Sequence, residues 1–278
     1  MATTKKITRH LVSVASALWV TINLGLWLFP IVLLALFRLL LPFKAPRKLI
    51  TLLTEGCYRG AVWGNNFWMF HVVGIDLRVE GALPDHEAPV IVSNHQTWMD
   101  IPVLHGAISR NGPILKFLIK RELLWVPIIG WICYALNFPR LNRGQGEDAR
   151  EKDYAAIQSF SRSLTSERGA LLIYAEGTRF TEEKKLRQAS PYPHLLNPRP
   201  GGLKIALENA PPDTPVVDVT IVYDGDTNFW RCLGGNTRKI KVVIRNYDAA
   251  EITDVRSWLG ERWAEKENFF HKGSTTSA

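Results

Sequence analysis

The chain has 278 residues, 46% of them hydrophobic, and 34 Lys and Arg against 26 Asp and Glu give a formal net charge of +8. That length and apolar content suit one main catalytic unit with an N-terminal appendage. The cysteines Cys57, Cys133 and Cys232 are odd in number and widely separated, which suggests neither a disulfide framework nor a zinc site.

From Leu11 to Phe37 no residue is charged, a run long enough to cross a bilayer, for which about 20 apolar residues suffice. It exceeds a secretory signal in length and no small-residue cleavage site follows, so it reads as retained. Lys5, Lys6 and Arg9 precede it, and Arg38, Lys44, Arg47 and Lys48 follow. A single crossing would put one basic cluster on the wrong face. A helical hairpin broken near Phe29-Pro30, or a shallow re-entrant element, keeps both at an anionic cytoplasmic leaflet and is the favoured reading. Residues 1–60 are therefore expected to anchor the protein and 61–278 to form the catalytic domain. Ten Trp, seven Tyr and twelve Phe suit a membrane interface. The basic excess is assigned to acidic lipid and not to nucleic acid, because neither a basic recognition helix nor an aromatic platform is visible.

Strands are expected near residues 76–80, 89–93, 114–119, 134–138, 170–175, 216–223 and 239–245. Helices are expected near 49–72, 99–109, 122–132, 150–167, 201–209 and 253–266. The mixed-sign stretch from Arg140 to Lys152 reads as a solvated loop entering a helix, and Gly273 to Ala278 as a tail. Strands alternating with helices predict an α/β fold, a mostly parallel sheet flanked by helices, with ligands gathered beyond the strand ends.

Two segments carry chemistry. After the apolar run Pro89-Val90-Ile91-Val92-Ser93 come Asn94-His95-Gln96-Thr97-Trp98-Met99-Asp100. An Asp in the first helical turn can reach back to the imidazole just before it, fixing its tautomer and supporting the imidazolium. Alone, the pair also fits a helix N-cap beside a satisfied histidine. The second segment is the run Gly169 to Ala175, ending in Glu176-Gly177-Thr178-Arg179. Gly at a strand end permits a sharp turn, and Arg can bind phosphate through two parallel hydrogen bonds. By itself it could be a polar turn with a surface ion pair.

Together, Asn-His-x4-Asp and Glu-Gly-Thr-Arg make the chain resemble a glycerolipid acyltransferase of the lysophosphatidic acid acyltransferase superfamily, over about residues 60 to 246. Leu115 to Leu123, Pro127, Gly130, Trp131 and Phe138-Pro139-Arg140 resemble the family's second block. Lys184-Lys185, His194-Leu195-Leu196, Pro200-Gly201-Gly202-Leu203 and Asp218 to Tyr223 look most like the lysocardiolipin acyltransferase branch and its bacterial relatives. Tyr174-Ala175 departs from the Phe-Pro of many members, a change expected to alter the approach of the strand more than the chemistry.

The resemblance implies acyl transfer from a thioester to a lysophospholipid hydroxyl, with His95 as general base and Asp100 orienting it. Arg179 is the candidate for the acceptor phosphate, with Gly177 giving close backbone approach and Thr178 in the same substrate-binding segment, and Glu176 either positions Arg179 or meets the glycerol hydroxyl. Asn94 and Thr97 shape the first turn or take a direct role. Lys120 and Arg121 are candidates for phosphate or the donor's pantetheine arm, with Arg140 and Lys204 behind them; each also fits a surface role. No metal or bound cofactor is implied, and the donor is acyl-CoA or acyl carrier protein. The leading product is phosphatidic acid; the runner-up is remodelling of phosphatidylglycerol or cardiolipin. A hydrolase of acyl thioesters or lipids, and a non-catalytic membrane scaffold, are the readings of other classes. No Gly-x-Ser-x-Gly nucleophile is present for the hydrolase. Access to acyl thioesters places the protein on the cytoplasmic face of a membrane, a bacterial inner membrane before an endoplasmic one. The oligomeric state is left open.

Overall fold

The short apolar runs become strands. A computed structural model of the protein describes residues 2–40, 44–110, 112–141, 147–164 and 169–273. Its strands are β1 (Asp76–Glu80), β2 (Val90–Ser93), β3 (Leu115–Phe117), β4 (Ile119–Lys120), β5 (Arg140–Leu141), β6 (Ala170–Tyr174), β7 (Val216–Tyr223) and β8 (Lys239–Tyr247). Six form one sheet in the order β1-β8-β7-β2-β6-β3, while β4 and β5 pair separately. Within the six-stranded sheet only β7 and β8 run antiparallel. The expected mostly parallel α/β sheet is therefore what forms.

The helices are α1 (Ala2–Leu40), α2 (Lys44–Phe67), α3 (Asp100–Leu104), α4 (Ile129–Ala135), α5 (Glu147–Ser163), α6 (Glu182–Arg187), α7 (Gly201–Asn209), α8 (Phe229–Leu233) and α9 (Val255–Gly273). Both α2 and α3 continue as wider π turns, over Trp68–Val72 and His105–Ser109. Alternation along the strands divides the core into two layers. Ile91, Leu172, Val217, Val219 and Ile221 face Val103 and Leu104 of α3, whereas Val90, Val92, Leu171, Ile173 and Val216 face Ile157 and Phe160 of α5, Leu203 of α7 and Trp263 of α9. Every residue of β2 is buried, as a central strand covered on both faces requires.

Two expectations fail in the segment between the motifs. No strand occupies 134–138; that segment is the end of α4 and a turn, with Phe138 N–H donating to Cys133 O at 3.0 Å. A short apolar run reads as strand or helix alike, and here the helical spacing prevails. Ile132, Cys133 and Leu136 share the buried side while Trp131 and Tyr134 stay exposed. The expected helix at 122–132 is likewise divided into a 3₁₀ turn, Arg121–Trp125, and α4, with Ile128 between them at φ 68°. Of the stretch from Arg140 to Lys152, residues 142–146 lie outside the described residues, as do 165–167 of the helix expected over 150–167 and the tail beyond Gly273.

The third correction concerns the N-terminus. α1 runs unbroken through Pro30, so the chain does not fold back near Phe29-Pro30. Proline removes one backbone donor, which a long helix absorbs as a bend; ending the helix in apolar surroundings would strand several carbonyls and amides. Residues 41–43, which link α1 and α2 in the chain, lie outside the described residues, as do the side chains of Lys5, Lys44 and Arg47. α1 and α2 pack closely: Trp19 Nε1 donates to Gly64 O at 3.1 Å and Asn23 Nδ2 to Ala61 O at 2.7 Å. A Cβ on Gly60 would stand 2.3 Å from the Trp27 ring, so only glycine allows that approach. Further along, Ser13 and Ser16 donate to Trp230 O and Leu233 O of α8. The opposite face of α1 is an exposed apolar stripe including Leu11, Leu18, Ile22, Leu26, Phe29 and Leu33. Among the described residues one helix, over Lys6–Arg38, is long and apolar enough to cross a membrane.

Candidate active site

β2 and β6 lie side by side and parallel, with Ser93 opposite Tyr174, so the segments that follow them emerge at one end of the sheet. This register brings the two motifs together: Phe180 N–H donates to His95 O at 2.8 Å, and His95 N–H to Glu176 Oε1 at 3.3 Å. Asn94 anchors the first turn. Its side chain donates to Ile221 O at 2.9 Å and accepts from Ile221 N–H at 2.8 Å, in effect extending the β2–β7 ladder. Both of its polar ends are thus committed to backbone.

His95 Nδ1 lies 2.7 Å from Asp100 Oδ2. The same oxygen accepts from the backbone N–H of Gln96 at 2.7 Å and of Thr97 at 3.1 Å, while Oδ1 accepts from the Tyr223 hydroxyl at 2.7 Å. Asp100 is fully buried, and the His95 side chain is 14% exposed. An anionic carboxylate facing Nδ1 selects the tautomer with hydrogen on Nδ1 and leaves Nε2 as the basic atom. Tyr174 stacks on the imidazole, with ring centroids 3.9 Å apart and planes 14° from parallel. The first residue of the pair that departs from Phe-Pro therefore touches the candidate base directly through its ring.

Glu176 is fully buried; its oxygens accept from the N–H groups of His95 and, at 3.4 Å, Leu196. Burial pushes its carboxyl well above the usual range, against the opposing pull of those two amides. In this position Glu176 joins two loops from within. Gly177 follows at φ 69°, a left-handed conformation that favours glycine. Arg179 turns outward and lies with its guanidinium 4.5 Å from the centre of the Trp98 ring, so the two motifs also meet at the surface.

Lys184 Nζ donates to Thr178 Oγ1 and to Arg179 O, both at 2.8 Å, and closes the turn. Burial, then the charges of Arg179 and Arg187, and more weakly that of Lys120, lower its ammonium group; Glu183 opposes them. Lys120 thus belongs to the same positive field, at the end of β4. Arg121 is exposed at the start of the 3₁₀ turn. Arg140 sits opposite Ile119 in β5 with its guanidinium over Tyr134, 4.9 Å from the ring centre. Lys204, on α7, lies 3.8 Å from Glu208 of the same helix.

Sequence reasoning assigned no role to Tyr223, Trp98 or Gln96, whose side-chain amide donates to His194 O at 2.9 Å. Tyr223 ends a strand at the crevice side of the sheet, the one signal that could have drawn attention to it. Among the described residues no group of three or more His, Cys, Asp or Glu is arranged to hold a metal ion.

A family model described as Acyltransferase matches residues 75–222. The chain is 28% identical over 219 residues to mouse 1-acyl-sn-glycerol-3-phosphate acyltransferase gamma, covering 69% of this chain and 55% of that protein. It is 30% identical over 207 residues to the human gamma protein (65% and 52% coverage). It is 27% identical over 201 residues to mouse lysocardiolipin acyltransferase 1 (65% and 53%). The chain spans about half the length of the curated relatives it matches. Among solved structures, that of the 1-acyl-sn-glycerophosphate acyltransferase of Thermotoga maritima shares the fold, with TM-score 0.66, 18% identity and 99% of both chains covered.

Proposed function

The chain belongs to the acyltransferase family, and from that premise we propose that it moves a fatty acyl group from an acyl thioester to the free hydroxyl of a lysophospholipid. The observation that carries this reading is the contact between His95 and a buried Asp100 at the open end of the sheet. Neutral His95 takes the acceptor's hydroxyl proton on Nε2 as the oxygen attacks the thioester carbonyl. The imidazolium is held by Asp100, the carbon–sulfur bond breaks, and the proton passes to the departing thiolate. General-base assistance of this kind contributes roughly 10²–10⁴-fold. Neither a nucleophilic serine nor a bound cofactor enters the scheme.

Arg179 receives the acceptor phosphate, with Lys120 and Lys184 supplying the surrounding positive field. Lysophosphatidic acid is the favoured acceptor, in keeping with the names of the relatives. Lysophosphatidylglycerol or lysocardiolipin is a second reading, favoured by the similarity to mouse lysocardiolipin acyltransferase 1. The donor is acyl-CoA or acyl carrier protein. Residues 1–60 anchor and 61–278 catalyse, although residue 60 falls within α2, so the two parts share a helix.

α1 packs on α8 through Ser13 and Ser16 and joins a core cluster with α4 through Leu28, which holds one side of it against the catalytic part. Only its outer stripe is available to lipid. The helix therefore lies along the membrane surface, with both ends on the cytoplasmic face where acyl thioesters are supplied.

The test measures thioester consumption by the full-length protein with and without lysophosphatidic acid. Consumption that depends on the acceptor, with phosphatidic acid as product, is expected. Equal consumption without acceptor makes the protein a hydrolase, and none under either condition with any of the three lysolipids makes it a scaffold.

A further inference from the structure

We infer that Tyr223 is a positioning residue for this reaction: its hydroxyl fixes the second oxygen of Asp100 and so holds the carboxylate in the plane that orients His95. The inference rests on the acyl-transfer reading above. It concerns a residue one position beyond the segment that the family model matches, residues 75–222.

The two oxygens of Asp100 are held unequally. Oδ2 has three donors close by, His95 Nδ1 and the N–H groups of Gln96 and Thr97, whereas the donor to Oδ1 is the Tyr223 hydroxyl, at 2.7 Å. The planar carboxylate turns as a unit about its Cβ–Cγ bond, so the donor on Oδ1 resists from the opposite end the same twist that would pull Oδ2 from its donors, and keeps the Oδ2 lone pair aimed at Nδ1. Asp100 has no exposure to water, so no solvent replaces a lost partner, and a buried charged group without one is costly.

Tyr223 is itself held in place. Asn94 pins Ile221 on both its backbone groups, and Tyr223, two residues on, faces the same core layer as Met99 and Val103 of the α3 side. Burial, reinforced by the charge of Asp100, pushes its phenol well above the usual range, so it stays a donor. The hydroxyl donates to the carboxylate, which faces His95: a Tyr–Asp–His line that crosses from β7 over the end of β2. The other titratable groups that feel Asp100 are Tyr174, Glu176 and Cys232.

Tyr223→Phe keeps the ring in the core and removes one oxygen. In the full-length protein, kcat is expected to fall roughly tenfold, the scale of a lost hydrogen bond to a charged group. KM for thioester and for lysophosphatidic acid should stay within about twofold, because neither substrate touches Tyr223. The same change made in Asp100→Ala should cost less than about twofold, since a residue that acts through the carboxylate then has nothing left to hold. A folded Tyr223→Phe protein with kcat within twofold of wild type, or a full additional loss in the double variant, overturns the inference. Should the phenylalanine variant not fold, 3-fluorotyrosine at 223 fills the same site with a more acidic donor. It draws more charge from Asp100 and should move the acid limb of the kcat profile to lower pH; an unmoved limb overturns the inference as well. Wild-type protein inactive with any lysolipid would instead remove the acyl-transfer reading itself.

Discussion

Replacing Asp100 by Asn isolates the charge of the carboxylate from its hydrogen bonds. Placed with its oxygen at the Oδ2 site, the amide still accepts from His95 Nδ1, Gln96 N–H and Thr97 N–H. Its NH₂ then faces the Tyr223 oxygen, which can accept. The turn and the tautomer survive, and only the negative charge is lost. Before proton transfer the scheme has a neutral imidazole and little changes, but in the transition state an imidazolium stands beside an uncharged amide. For charges about 4 Å apart at an effective dielectric near 20 the lost attraction is about 4 kcal/mol, an upper bound of about 10³-fold in rate. Partial proton transfer lowers this, so kcat should fall roughly 10²–10³-fold with both KM values little changed. Thiol release from an acyl thioester, followed with lysophosphatidic acid in detergent micelles, measures it, and thermal melting confirms the fold. A loss below about tenfold in a folded protein would refute the claim that Asp100 carries the imidazolium. A loss near 10⁴-fold would mean that the amide sits reversed, with its NH₂ against Nδ1 and the proton forced onto Nε2.

Arg179→Lys keeps the charge but loses the planar fork and the stack on Trp98, so KM for the lysolipid should rise about tenfold with a smaller change in kcat. An unchanged acceptor KM moves the phosphate site toward Lys120. Lys266 is fully buried, with Nζ 2.6 Å from Asp218 Oδ1 and 2.7 Å from Val219 O, so Lys266→Met strands a carboxylate in the core. Stability in urea at pH 8 should drop by about 3–5 kcal/mol. Burial already pushes the Asp218 carboxyl upward, so the deficit should shrink as pH falls and the acid takes up its proton; a deficit independent of pH contradicts this. If α1 lies along the membrane, cysteines at Lys6 and at Lys48, with the native cysteines replaced, should both be labelled from the cytoplasmic side. Labelling from opposite sides, in active protein, requires a crossing.

What was legible in the sequence is what period and punctuation encode. β2, β6, β7 and β8 are runs of Val, Ile and Leu bounded by polar turns, and their order with the intervening helices is enough to predict a mostly parallel sheet. α4 was misread because Trp131-Ile132-Cys133-Tyr134-Ala135-Leu136 is rich in residues that suit either element. The choice was made by which of them could reach Leu28 and Tyr58 of the N-terminal helices, a contact across some hundred positions that no local pattern records. Pro30 misled for a similar reason: its cost is local, whereas α1 is held along its length by α2, α4 and α8.

The site divides in the same way. His95 and Asp100 are five positions apart in the chain, so their contact follows from local geometry and could be anticipated. Glu176 reads as a polar residue beside Arg179, yet it points inward to two backbone amides, because the sharp turn at Gly177 sends neighbouring side chains in opposite directions. Tyr223 is further removed, 123 positions from the carboxylate it binds. Its place is set by a chain of registers: Ser93 opposite Val219 across β2 and β7, Asn94 bridging to Ile221, and alternation carrying the next residue of the same face to Asp100. Each step is ordinary sheet geometry, but the result depends on β7 lying beside β2, which follows from the assembled fold and from no segment of the sequence alone. A general base can thus be recognised from its own turn, while the groups that hold its partner in place come from the strand packed next to it.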